Sequence, residues 1–174
     1  LFIEMQNSGI TKFIIMGVSG SGKSSVGSLL SNKIDAVFLD GDEMHPPENI
    51  TKMSSGQPLD DDDRHPWLQN IGKALKDEPG SIIIACSALK KMYRDLIRET
   101  AGQEVIFIHL IGSLDLIKDR MSKRTGHFMP ISLLESQFET LETPGKPESF
   151  MPIDISQPLE SIIEQLTHLI KNRC

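Results

Sequence analysis

One stretch of this chain leaves its neighbours little freedom: Gly17-Val18-Ser19-Gly20-Ser21-Gly22-Lys23-Ser24 fits G-x-x-x-x-G-K-[ST] in full. It lies between the apolar run Lys12 to Val18 and the amphipathic stretch Lys23 to Asn32, the strand-to-helix setting that gives the pattern its meaning. Glycines let the backbone turn tightly, so successive N–H groups point at phosphate oxygens, and the start of the next helix adds partial positive charge. Gly17, Ser19, Gly20, Ser21, Gly22, Lys23, Ser24 and Ser25 are therefore expected to hold ATP. Lys23 is expected to bridge the β- and γ-phosphates and the Ser24 hydroxyl to ligate Mg²⁺.

Downstream, short apolar runs keep alternating with amphipathic stretches. Ala36 to Leu39 precedes Pro66 to Leu75, Ser81 to Cys86 precedes Lys91 to Arg98, and Val105 to Ile111 precedes Leu114 to Arg124 and Leu133 to Leu141. Met151 to Ile155 and then Leu159 to Lys171 close the chain. Runs such as Phe13-Ile14-Ile15-Met16 and Ile82-Ile83-Ile84 are apolar on both faces, as buried parallel strands require. This rhythm predicts an open α/β sheet covered by helices. Ser113 is placed to cap the Leu114 helix, Ser132 with Glu135 to form a capping box, and Pro158 to sit at a helix start. His45 to Asp63, rich in Pro, Gly and Asp, breaks the rhythm, and Gly145 to Ser149 reads as a surface loop.

With 174 residues, 39% of them hydrophobic, the chain is sized for one domain. The net charge of -6 argues against nucleic-acid binding. No run is long enough to span a bilayer, and the start has neither a basic segment nor an apolar core of signal-peptide length. Cys86 and Cys174 alone make no disulfide framework, which fits the cytoplasm.

In many P-loop proteins a strand ends in an aspartate that orients Mg²⁺. Here Ile82-Ile83-Ile84-Ala85 runs into Cys86-Ser87, whereas the second strand ends Phe38-Leu39-Asp40-Gly41-Asp42. Parallel strands point their C-terminal ends at the ligand crevice, so Asp40 and Asp42 are expected to face the loop, side by side if the backbone stays extended. Asp40 is assigned to Mg²⁺ and Asp42 to the proton of an attacking hydroxyl. Asn32-Lys33-Ile34-Asp35 matches the guanine-reading N-K-x-D, but it falls within or just after the helix that starts at Lys23, too close to the phosphates to reach a base.

Asp40-Gly41-Asp42-Glu43-Met44-His45-Pro46, Gly56-Gln57-Pro58-Leu59 and Asp62-Asp63-Arg64-His65-Pro66-Trp67-Leu68 resemble the substrate region of the gluconokinases. Ala85-Cys86-Ser87-Ala88-Leu89-Lys90-Lys91-Met92-Tyr93-Arg94, Gly126-His127-Phe128 and Gln137-Phe138-Glu139-Thr140-Leu141-Glu142 are similar to the same family, so the likeness covers about 12 to 171. The resemblance implies an adenylate-kinase-like three-layer α/β/α P-loop fold, with a five-stranded parallel sheet of order 2-3-1-4-5 and a lid. It also implies transfer of the ATP γ-phosphoryl group to the 6-hydroxyl of D-gluconate, Mg²⁺ dependence and a homodimer. A substrate-binding insertion is expected at about 43–66 and the lid at about 120–132.

Gluconate carries one carboxylate and several hydroxyls, so its pocket needs a forked cation and short polar groups. Arg64 and Arg94 are the candidates for the carboxylate, and Lys52, His45, Ser87 and His127 for the remaining contacts. Arg120 and Arg124 are expected to close over the transferring phosphoryl group, and Trp67 is read as a packing anchor. The tetra-aspartate run Asp60 to Asp63 is read as an acid-decorated helix start. Two rivals remain at this level: a kinase of shikimate or another sugar acid, and a non-catalytic nucleotide-binding switch.

Overall fold

The computed structural model describes residues 9–123 and 130–173. Five strands, β1 (Lys12–Met16), β2 (Val37–Asp40), β3 (Ile82–Ala85), β4 (Ile106–Ile111) and β5 (Phe150–Asp154), form one parallel sheet of order β2-β3-β1-β4-β5. This is the predicted order. β1 is central, its registers Ile14↔Ile84 and Ile14↔Phe107 placing apolar residues side by side across three strands. Among the described residues, seven α-helices connect and cover them: α1 (Lys23–Ile34), α2 (Pro47–Ser54), α3 (Asp61–Asp77), α4 (Lys91–Ala101), α5 (Leu114–Ser122), α6 (Ile131–Thr140) and α7 (Leu159–Lys171).

Alternation along the strands splits the core into two layers. Phe13, Ile15, Ile83, Ile106, Ile108 and Leu110 face α1 and α7 through Val26, Leu30, Ile162, Ile163 and Leu166. Ile14, Met16, Ile82, Ile84 and Phe107 face α3 and α4 through Leu68, Ile71, Leu75, Tyr93 and Ile97. Each fully buried side chain of this kind contributes about 1.5–3 kcal/mol, which makes the sheet a rigid base for the loops at its C-terminal edge.

The helix boundaries depart from expectation where acids and prolines decide them. α3 begins at Asp61, five residues before Pro66, because Asp60 accepts from Asp63 N–H at 2.7 Å while Asp63 accepts from Asp60 N–H at 2.9 Å, a complete capping box. The acids are thus a helix start, as read. Pro66 lies inside the helix, where it supplies no N–H to the Asp62 carbonyl four residues back. The irregular stretch after His45 contains α2, with proline at its first position. Ser113 caps α5 by accepting from Leu116 N–H at 3.1 Å. The capping box expected at Ser132 does not form: α6 starts at Ile131 with Pro130 at the cap, so Ser132 is already in the first turn. Asn32 to Asp35 closes α1, at the opposite end of that helix from Lys23.

Candidate active site

The turn between β1 and α1 carries positive φ at Gly17 (151°), Gly20 (80°) and Gly22 (95°), the last being the cap of α1. No side chain caps α1 and no acid lies in its first turn, so its leading N–H groups are left to an external acceptor. Ser21 is buried in the turn with its hydroxyl oxygen unpartnered. Lys23 Nζ rests on the Gly17 and Val18 carbonyls at 2.9 and 3.1 Å. Burial lowers its pKa below the usual 10.5, and the nearby charges of Cys86, Asp42 and Asp40 oppose that shift. Cys86 stays protonated, since burial pushes its thiol up to about 12, so the aspartates supply the counter-charge. An unpartnered hydroxyl, an uncapped helix start and a half-buried ammonium together fit polyphosphate.

β2 delivers the acids, although not on an extended backbone. Asp40 turns the chain into a 3-10 turn (Gly41–Met44) by accepting from Asp42 N–H at 3.0 Å. Glycine is required at 41, because a Cβ there would lie 2.4 Å from the Ala85 carbonyl oxygen. Trp67, an anchor as expected, is 5% exposed and donates from Nε1 to the Gly41 carbonyl at 2.7 Å. The strand end bearing Asp42 is thereby fixed against α3 and β3, with its charge reaching Lys23.

His45 stacks on Trp67 with ring centroids 4.3 Å apart. Its pKa is lowered by burial foremost, raised in part by the charge of Asp42 and lowered further by that of Arg64. Arg64 Nη1 donates to Tyr93 Oη at 3.4 Å, and among the described residues no carboxylate lies within ion-pair distance of it. Lys52 pairs with Asp63 at 2.5 Å and lies 3.8 Å from Asp60. Ser87 meets the phosphate loop directly, its carbonyl accepting from Gly17 N–H at 3.3 Å.

Arg94 corrects the expectation. It is completely buried, and all five of its N–H donors are engaged: Nε with Glu148, Nη1 with the Ala88 and Leu89 carbonyls, Nη2 with the Glu142 carbonyl and Glu148. No donor remains for a substrate carboxylate. Arg94 instead pins the loop after β3 to the segment after α6.

Arg120 donates to the Ile155 carbonyl and lines a cavity of about 260 Å³ with Gly20, Ser21, Gly22, Ser25 and residues that sequence reasoning missed: Val26, Met121, Gln157, Leu159 and Ile162. Part loop, part apolar wall, it suits the base and ribose of a nucleotide. The topology could have pointed to the β5–α7 loop, since it too leaves a C-terminal strand end. Gln137 was also missed as a site residue; its carboxamide bonds Ser19. Arg124 and His127 lie outside the described residues. A larger groove of about 640 Å³ between α1 and α7, lined by Leu29, Lys33, Ile163 and His168 among others, does not touch the loop, so volume alone is a poor guide here.

A phosphate loop after β1 and an acid after β2, at the same end of one parallel sheet with β3 between them, characterise the P-loop kinases, which move a phosphoryl group from ATP to a small acceptor, and this chain is of that class. The shikimate kinase family model matches residues 19–143. The thermoresistant gluconokinase of Escherichia coli (strain K12) is 47% identical over 163 residues, 91% of this chain and 93% of that protein. The thermosensitive gluconokinase of the same strain is 47% identical over 159 residues, 88% of this chain and 83% of that protein. A crystal structure of a gluconokinase from Sinorhizobium meliloti 1021 superimposes with a TM-score of 0.84 at 46% identity, covering 93% of this chain and 92% of that one. The chain belongs to the gluconokinase family.

Proposed function

We propose that the protein phosphorylates D-gluconate at its 6-hydroxyl, giving 6-phospho-D-gluconate and ADP. The observation that carries this reading is the convergence of charges beside the loop: Asp42 acts on both Lys23 and His45, and Arg64 acts on His45. These charges support reading Asp42 as the base, Lys23 as the phosphate-binding cation and Arg64 as the carboxylate-binding cation.

In this reading the γ-phosphoryl group lies over the loop, where Lys23, Arg120 and Arg124 spread its charge. Arg64 binds the gluconate carboxylate, and His45, Lys52, Ser87 and His127 bind hydroxyls. Asp42 takes the proton of the 6-hydroxyl as that oxygen bonds to phosphorus and the bond to ADP breaks. Ser24 and Asp40 offer only hard oxygen donors, a set that suits Mg²⁺. When bound, the ion neutralises phosphate charge. Segments 43–66 and 120–132 serve as substrate-binding insertion and lid within one domain.

The reading extends to a cytoplasmic homodimer, on the strength of the family resemblance and a chain with only two cysteines. Among the described residues, no helix is long and apolar enough to cross a membrane. A panel of sugar acids and shikimate in an ADP-release assay tests the proposal: gluconate should be turned over far faster than shikimate, and a preference for shikimate would refute it.

A further inference from the structure

Two hydrogen bonds join α6 to the phosphate loop, and both connect Gln137 to Ser19. Ser19 N–H donates to Gln137 Oε1 at 2.7 Å, and Gln137 Nε2 donates to Ser19 Oγ at 3.1 Å. A backbone N–H can only donate, so it fixes which way the carboxamide faces: Oε1 toward the N–H, Nε2 toward the hydroxyl. The hydroxyl oxygen is therefore used as an acceptor, and its own proton is free to donate elsewhere.

The loop indicates where that proton goes. The nucleotide cavity opens on Gly20, Ser21, Gly22 and Ser25, on one side of Ser19. The Lys23 ammonium lies on Gly17 and Val18, on the other side, next to the Ser87 carbonyl. Ser19 thus sits between the cavity-lining residues and the carbonyls on which the Lys23 ammonium rests, where a nucleotide held in the cavity would bring its γ-phosphoryl group toward Lys23. The presenting helix is firmly held: just past its end, Glu142 N–H donates to the Leu89 carbonyl at 2.8 Å, and Glu142 Oε1 accepts from Lys91 N–H at 2.8 Å.

We infer that Gln137 is a positioning residue for phosphoryl transfer, which holds Ser19 as a donor with its hydroxyl proton directed at a γ-phosphoryl oxygen. The inference rests on the kinase reading and deepens it, because it assigns a role at the same site to a residue 118 positions from its partner.

The test compares the affinities of ADP and a non-hydrolysable ATP analogue, which need no acceptor and so stand apart from the gluconate assignment. In Gln137→Glu the ionised carboxylate takes the Ser19 proton for itself, so binding of the ATP analogue should weaken about tenfold more than binding of ADP. Relative to the unaltered protein at each pH, that gap should narrow only as pH falls through the carboxyl range at about 4.3, because a protonated carboxyl offers one donor and one acceptor as an amide does. Gln137→Met and Ser19→Ala should show the same selective loss without the pH dependence, and Gln137→Glu should add little to Ser19→Ala. Equal weakening of both nucleotides, a gap in Gln137→Glu that ignores pH, or losses that multiply in the double variant would each overturn the inference.

Discussion

Arg94 and Glu148 form an ion pair with Nε and Oε1 2.8 Å apart and side chains only 1% and 5% exposed. Arg98 reaches the same Oε1 at 2.9 Å. Burial alone would raise the Glu148 carboxyl, but its bonds to the two arginines outweigh burial and hold it below the ordinary 4.5. Losing Arg94 leaves the buried Glu148 carboxylate to Arg98 and removes the donor that serves the Ala88, Leu89 and Glu142 carbonyls. Arg94→Met should therefore destabilise the fold by about 3–5 kcal/mol. Urea unfolding measures this, and a loss of substrate affinity at unchanged stability would contradict the structural role. Because the folded pKa is depressed, the stabilisation from Glu148 is present above about 4.5 and fades as pH falls below it.

Arg64 behaves in the opposite way. Its position beside His45 predicts that Arg64→Ala raises the KM for gluconate by roughly 10–100-fold, the worth of a charged hydrogen bond, with little change in the KM for ATP. Steady-state kinetics with each substrate varied in turn separates the two.

For Asp42, replacement by Asn keeps the shape and removes the base. Turnover should fall by about 10²-fold or more, with ATP affinity nearly unchanged. Near-normal kcat in this variant would remove Asp42 from the mechanism.

His109 lies in β4, level with Met16 at the foot of the phosphate loop, 3% exposed and with Nδ1 unpartnered. Burial, aided by the charge of Arg94, lowers its pKa from 6.5 to about 4. The unfolded chain therefore binds this proton more readily, and stability is full above about 6.5 and declines as pH falls toward about 4. The loss is on the order of 3 kcal/mol across that window. His109→Phe should abolish this part of the acid sensitivity, as thermal melts at several pH values would record.

The fold was legible because two local periodicities carried it: doubly apolar runs for buried strands and the Gly-rich turn for the first connection. Asp42 drew attention because it follows directly on the end of β2, whereas His45 and Arg64 rest on the family resemblance, Arg64 lying in α3 well past that strand. Arg94 was misread because nothing in its own helix reveals Glu142 and Glu148, the acceptors 48 and 54 residues further along that complete its set of partners. Gln137 escaped notice as a site residue in the same way. The base cavity needed the β5–α7 loop to be brought beside α1, which only the assembled sheet does.

The most direct test of the account is phosphorus NMR of the product made from ATP, Mg²⁺ and D-gluconate by the unaltered protein. The account predicts a phosphomonoester on the 6-oxygen of gluconate, formed in step with ADP. ADP and inorganic phosphate alone, or an ester on another hydroxyl, would contradict it.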